Sequence, residues 1–430
     1  MPQLKVLISG AGIAGNALAF WLSKLGHNVT VIERFPNLRA SGLQVDLRGH
    51  GIEVLKRMGL ESAFRSKAVL ERGMQIVDSS GRRRAYFPAR KFKDGAQQGF
   101  TSDFEIMRGD LCRILYDATK NRVNYVFGTS VESFQENGAA WPGLDVRFAN
   151  GESGHFDILV GADGQRSRTR EMMLGFNAEG TFHALDEYTA YFTIPRPIND
   201  GEEYIATTYI APGGRFILTR RHDPQRIQVY LTGKSVTERL KTVQRGDVSG
   251  EKRVFAEVFR GAGWQADAIT ESLIEAEDFY CGSQGLVKLD SWYKGRVVLL
   301  GDAAYCPSAS TGMGTSSAIV GAYILAGEME RHCGYTLCQQ RGEEMAKASY
   351  TAAFQAYDDK LRPFMSQVQQ GVGDPSVFDK IQWSPFTIGV LYWLMWLVSC
   401  LRLDLLERFL SDQPVKGWKL PEYDSLRSAQ

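Results

Sequence analysis

The chain has almost no surplus of charge. Among its 430 residues, 50 lysines and arginines face 49 aspartates and glutamates, for a formal net charge of +1. That balance removes any case from net charge for nucleic acid or an anionic membrane as partner, and leaves a small molecule as the expected one. Cysteine is sparse too. The six are Cys112, Cys281, Cys306, Cys333, Cys338 and Cys400, and only Cys333 and Cys338 lie close together. With no second pair and no histidine cluster, neither a zinc site nor a disulfide scaffold is expected, which suits a reducing, cytoplasmic setting. Several catalytic signatures are missing as well. There is no G-x-S-x-G elbow, and Thr232-Gly233-Lys234-Ser235 lacks the upstream glycine of a P-loop, so hydrolase and ATP chemistry are set aside. No internal repeat or low-complexity tract occurs.

What is present is an ordinary globular composition, 44% hydrophobic and 23% charged. The apolar run near the N-terminus, from Val6 to Leu22 behind Lys5, has the look of a signal peptide, but its glycines argue for strand, turn and helix. Leu4–Ser9 reads as a buried parallel strand, Ile13–Leu25 as a helix, and Asn28–Glu33 as a second strand, a βαβ unit. The sequon Asn28-Val29-Thr30 falls inside that strand and is discounted. Between strand and helix lies Gly10-Ala11-Gly12-Ile13-Ala14-Gly15. In such a turn the first glycine allows the bend, the second lets backbone approach a pyrophosphate, and the third permits close helix–strand packing. The helix N-terminus supplies free N–H groups for the phosphates. Glu33 ends the second strand about 20 residues on, where an acid accepts from ribose hydroxyls. The pattern indicates a dinucleotide without choosing which.

Further along, Ile52–Leu60 and Met107–Thr119 read as helices, and Ser79–Gly99 as a basic, turn-rich stretch. Strands are expected at Val123–Phe127, Ser130–Gln135 and Leu144–Phe148, then, after an Asn150-Gly151 turn, at Phe156–Val160. From about Ala178 to Gly285 the texture becomes short and alternating (Tyr188–Ile194, Tyr204–Ile210, Phe216–Arg220, Ile227–Thr232), as in an antiparallel sheet. A buried strand returns at Arg296–Leu300. Long helical patterns follow at Ser316–His332, Glu343–Gln370 and Ile388–Leu410.

Two later segments choose the cofactor. Gly301-Asp302-Ala303-Ala304-Tyr305-Cys306-Pro307, continuing to Gly312-Met313-Gly314, resembles the GD motif of the class A flavoprotein monooxygenases. Asp157-Ile158-Leu159-Val160-Gly161-Ala162-Asp163-Gly164-Gln165-Arg166-Ser167 resembles the DG motif of the same family. Within it the chain is similar to the tetracycline-inactivating monooxygenases and fungal natural-product hydroxylases of secondary metabolism. The resemblance implies an α/β fold: a Rossmann-like FAD-binding domain, an inserted antiparallel β-rich substrate domain and a long C-terminal helix. The expected segments are 1–177 (with a β-rich excursion at about 65–105) and 286–375 for FAD, 178–285 for substrate, and 376–430 for the C-terminal helical part.

It also implies FAD as cofactor, NADPH or NADH as co-substrate, and O2. A C4a-hydroperoxyflavin would pass one oxygen to an aromatic or polyketide-like molecule. Asp302 would bind the ribitol hydroxyls, and Gly312 and Gly314 would let a helix N-terminus approach the flavin ring. Arg108 matches an arginine that contacts FAD. Asp46 and Arg48 would run beneath the flavin, or form an ordinary turn-flanking ion pair. Asp163 would touch cofactor or hold its own loop, and Arg34 would reach the adenosine phosphate or face solvent. No second G-x-G-x-x-G marks a pyridine-nucleotide domain, which fits class A. Tyr191, Tyr209, Phe216, Arg220 and His222 are candidates for the substrate side, with a surface position expected for His222. No catalytic base is identified.

Rival readings are epoxidation, Baeyer–Villiger oxidation or reduction of a terpenoid-like substrate on the same fold, and a flavin-free binding protein. A halogenase is disfavoured because the W-x-W-x-I-P signature is absent. No charge occurs between Lys380 and Arg402, and Phe386–Leu401 is nearly all apolar. This run falls short of the about 20 residues of a spanning helix. Packing against the rest of the chain, peripheral membrane contact through 386–401, and spanning are the three readings it leaves.

Overall fold

The computed structural model describes residues 3–38, 42–89, 104–137, 143–244, 246–333, 343–374, 381–401 and 415–427. At its centre is a six-stranded sheet with strands in the order Tyr293–Lys294, Val297–Leu299, Ile158–Gly161, Lys5–Ser9, Asn28–Glu33, Asn124–Phe127. All neighbours are parallel except the first pair. These strands are apolar on both faces because helices cover both sides. Ile13–Lys24 packs against Gly314–Cys333, which in turn packs against Glu343–Val368. Parallel strands with crossover helices give a Rossmann-like α/β body, as expected.

Phe156–Val160, expected as one strand, is two. Ser153–Phe156 pairs antiparallel with Gly143–Phe148 in a separate three-stranded sheet, while Ile158–Gly161 enters the central one. Asp157 is the switch. Its amide donates to Lys5 O at 2.9 Å, and its carboxylate accepts from the Lys5 amide at 2.7 Å.

A seven-stranded sheet runs Tyr280–Val287, Phe182–Pro195, Arg226–Gly233, Arg215–Asp223, Ala206–Ala211, Gly73–Val77, Arg83–Pro88. It is antiparallel save for Ala206–Ala211 beside Gly73–Val77. Part of the stretch expected to be turn-rich, 79–99, is thus an edge strand at 83–88, and 90–99 lies outside the described residues. Within the segment expected to be β-rich, three helices went unforeseen: Lys234–Leu240, Val248–Phe259 and Ala266–Glu275. They cover one face of this sheet, packing Val236, Phe255, Phe259 and Ile269 against Phe192, Ile217, Val229 and Leu231. The spacing Val254, Phe255, Val258, Phe259 is a helical stripe that the surrounding strand alternation masks.

The C-terminal apolar run forms the helix Pro385–Cys400, and 402–410 lies outside the described residues. Its start is a capping box between Ser384 and Thr387, with Pro385 in the first turn where its missing N–H costs nothing. The helix lies against the edge of the seven-stranded sheet, at Arg83–Pro88 and Ala206–Ala211. Among the described residues no helix is long and apolar enough to cross a membrane.

Candidate functional site

The C-terminal ends of four parallel strands converge at one rim of the central sheet, delivering Gly10, Glu33, Ala162 and Leu300. Such rims are where α/β sheets bind ligands. Gly10 has φ +113, and its amide donates to Ile32 O at 2.8 Å. A Cβ on Gly10 would stand 2.5 Å from Ala162 O, so only glycine fits. A Cβ on Gly15 would collide with Gly10 O, which is the close approach of helix to turn that the third glycine permits. Ile13 and Ala14 open the helix, both buried.

The turn is held by residues that sequence reasoning missed. Buried Asn16 donates its side-chain amide to Ala11 O at 2.6 Å and Gly12 O at 3.0 Å. Tyr125 OH donates to Asn16 Oδ1 at 2.7 Å. Glu33 accepts from the Ala11 amide at 3.0 Å and the Phe35 amide at 3.1 Å. An Asn one turn into the helix was the available signal, since a side-chain amide there can reach back to the carbonyls of the preceding turn.

The distant motifs meet here. Arg108 opens the helix Arg108–Asp117, and its amide donates to Leu43 O at 2.8 Å. Its guanidinium crosses toward the turn, where a Cβ on Gly12 would lie 3.8 Å from Nη2. The same charge acts on Asp302. Burial pushes the Asp302 carboxyl above the usual range, while Arg108 and the Cys306 thiol pull it back. Gly301 has φ +65, and a Cβ on it would press on the Ala14 methyl at 2.8 Å. Gly314, at the start of its helix, holds its Cα hydrogen toward Asp302 Oδ1, which a Cβ would approach to 3.9 Å.

Asp46 and Arg48 do form an ion pair, at 2.6 Å, and it lies inside the site. The Arg48 amide donates to Ser316 Oγ at 2.8 Å, and a Cβ on Gly312 would be 3.6 Å from Arg48 Nε. Pro307 bridges to Leu286 of the second sheet. The next residue, Ser308, has φ +69, an uncommon strain for a residue with a side chain. Asp163 has both carboxylate oxygens engaged locally: Ser167 Oγ donates at 2.5 Å, and the Thr169 amide and hydroxyl at 3.0 Å. Arg34 is exposed, its guanidinium over the Phe35 ring at 5.0 Å.

Comparison with known proteins decides what this rim belongs to. Residues 3–333 match the family model described as an FAD binding domain. The chain is 47% identical to the FAD-dependent monooxygenase asL4 of Sarocladium schorii, covering 99% of both chains. The chain belongs to the class A FAD-dependent monooxygenases. It is 42% identical to the flavin-dependent monooxygenase eupH of a Phoma species over 85% of each chain. Among solved structures, tetracycline destructase Tet(51) is similar at TM-score 0.74 and 28% identity, covering 98% of this chain and all of that one. The HpxO structure from Klebsiella pneumoniae with FAD and uric acid shares the fold at TM-score 0.68 and 18% identity, over 96% of both chains.

FAD fits this monooxygenase on its own geometry. The rim combines side-chain-free backbone at Gly10, Gly12, Gly312 and Gly314, a helix start, and a desolvated carboxylate opposed by an arginine. The free face of the seven-stranded sheet turns toward it. Arg220, expected on the substrate side, is instead clamped: it donates to Glu71 at 2.7 and 2.9 Å and pairs with Glu105, both carboxylates buried. His222 is half-buried rather than on the surface, its Nδ1 2.9 Å from Gln228 Nε2, because it lies within the strand Arg215–Asp223 and not in the turn that follows. Tyr209 belongs to the opposite, helix-covered face and donates to Ala262 O at 2.7 Å. Strand register explains this, since Tyr209 pairs with core residue Ile217. Tyr191 and Phe216 do lie on the cleft face. They are joined by two residues not foreseen: Tyr230, edge-on to Tyr191 at 5.2 Å, and Gln284, which accepts from Ser308 Oγ and the Ala309 amide at 3.2 Å. Among the described residues no cluster could hold a metal ion.

Proposed function

We propose that this monooxygenase uses NAD(P)H and O2 to hydroxylate an aromatic or polyketide-like small molecule lying between the rim and the Tyr191–Tyr230 face. In this reading the Gly10–Gly15 turn and the first amides of the Ile13 helix hold the pyrophosphate, and Glu33 holds the adenosine ribose. Asp302 takes the ribitol hydroxyls with Arg108 alongside. Asp46 and Arg48 line the floor, and Gly312 and Gly314 bring a helix N-terminus to the flavin, where its dipole favours added negative charge. Asp163 acts through its loop. The bound flavin supplies hydride acceptance and oxygen activation. The protein orients the substrate and excludes water.

The observation that carries the substrate class is the aromatic lining: Tyr191 meets Tyr230 edge-on and stacks with Tyr280 at 6.1 Å, with Gln284 donating toward Tyr191 Oη at 3.5 Å. Planar rings pack well on such a wall and find hydrogen-bonding partners at its rim. The test is NAD(P)H oxidation with a panel of phenols, polyketides and terpenoids, with and without O2, and product mass read for one added oxygen. Product formed without O2 would defeat it. The apolar outer face of the Pro385–Cys400 helix belongs to the same reading as a peripheral membrane contact.

A further inference from the structure

The Pro385–Cys400 helix is buried on one side only. Ile388 is buried, Tyr392 OH donates to Ile210 O at 3.1 Å, and Ser399 Oγ donates to Tyr86 O at 2.9 Å. On the other side Phe386, Val390, Trp393, Leu394, Trp396 and Leu401 are exposed, Phe386 at 79% and Trp393 at 57%. Their spacing near four and seven residues makes one stripe. An exposed stripe of this size marks a surface built to be covered, and indoles favour the boundary between acyl chains and headgroups.

Length sets the geometry. Sixteen residues rise about 24 Å, less than the about 30 Å of a bilayer core, so the helix suits lying in the interface plane. Charge selects the covering partner. The edge strand that bonds this helix is led by Arg82, Arg83 and Arg84, all exposed. Arg84 pairs with Asp78 at 2.7 Å, while Arg83 spends its guanidinium on neutral Gln75 at 2.6 Å. A local positive excess therefore borders the stripe, although the whole chain is nearly neutral. A second copy would bring the same positive border to the contact and no charge to complement it. Anionic headgroups complement the arginines.

We propose that this face docks the enzyme on an anionic phospholipid surface, with the helix lying in the interface. The consequence for catalysis rests on the reading of the cleft given above. Trp383, just before the helix, meets Phe216 edge-on at 5.1 Å, and Phe216 is on the cleft face of the sheet. Docking therefore turns the aromatic end of the cleft toward the acyl layer, which suits a lipophilic substrate.

The test uses full-length FAD-loaded protein and vesicles of phosphatidylcholine alone or mixed with phosphatidylglycerol. Co-sedimentation with the mixed vesicles is expected, weakening with salt. Trp393→Glu with Trp396→Glu, and separately Arg82→Glu with Arg83→Glu, are each expected to lower partitioning by roughly tenfold or more. Flavin content and absorbance, unchanged in both, would show that the fold is kept. Absence of binding to mixed vesicles by the unaltered protein would overturn the proposal. So would a concentration-dependent dimer in light scattering that Trp393→Glu abolishes, since a second copy would then cover the face. Vesicle binding needs no turnover, so its failure leaves the hydroxylase reading standing, and failed hydroxylation leaves the docking standing.

Discussion

The Ala11 amide donates to Glu33 at 3.0 Å, so the acid that ends the second strand is fastened to the glycine turn that ends the first. One carboxylate thereby shapes the turn while its remaining lone pairs stay available to a ribose. Replacing Glu33 by Ala is expected to weaken FAD binding by about ten- to a hundredfold, as for a lost hydrogen bond to a charged group of about 1.5–3 kcal/mol. Glu33→Gln should recover part of it. Flavin fluorescence titration of the apoprotein measures both, and unchanged affinity in the alanine variant would remove the role.

Asp302 combines the site role proposed for it with a cost. Its pKa is raised above the ordinary 3.8 by burial, so in the apoprotein stability falls as pH climbs from 3.8 through the raised value and the buried carboxyl is forced to ionise. Apo Asp302→Asn is expected to melt higher than the apo parent at pH 8, the gap closing toward pH 4. The same variant should hold FAD less tightly, and Asp302→Ala should lose it. Thermal melts with and without FAD separate the two effects, and full flavin retention in the alanine variant would sink the assignment.

Arg220 clamps two carboxylates on the cleft face, Glu71 at 1% and Glu105 at 0% side-chain exposure. Arg220→Met leaves them buried without that partner and is expected to destabilise by about 3–5 kcal/mol. Adding Glu105→Gln should restore part of the loss, because the pair couples directly. Denaturant midpoints for the single and double variants provide the cycle.

His27 is 6% exposed, and burial lowers its pKa from 6.5 to about 4. A depressed histidine pKa means that protonation opposes folding. Stability is full above pH 6.5 and falls as pH drops toward 4, by up to about 3 kcal/mol for such a shift. His27→Phe is expected to flatten that acid limb without altering flavin affinity. Urea midpoints at pH 7, 5.5 and 4.5 test it.

Much of this site was legible because its parts are backbone chemistry. A turn that needs φ +113 at Gly10, or a helix that must approach within a glycine's reach at Gly15, can be met by glycine alone, so the requirement is written as a letter. The periodicity of the flanking strands and helix placed those letters at a sheet rim. Long-range convergence was not legible in the same way. That Arg108 reaches Asp302, that Ser316 receives the Arg48 amide, and that Gln284 receives Ser308 and Ala309 depends on chain segments far apart in sequence.

By itself, then, the sequence determined a βαβ body with a phosphate-binding turn, and through its motifs the FAD family. Local rules of backbone conformation and burial suffice for the body and its turn; the family rests on the resemblance of the Asp163 and Asp302 motifs. Only the tertiary structure decided which face of the second sheet meets the cleft. It put Tyr209 in the core, Tyr230 on the wall and Arg220 in an ion pair. Strand alternation offers two faces, and what packs on each is chosen by helices such as Val248–Phe259 that local alternation conceals. The outward face of the Pro385–Cys400 helix was decided in the same way: a nearly all-apolar helix has no continuous polar side to betray its orientation, so its docking on the edge strands does.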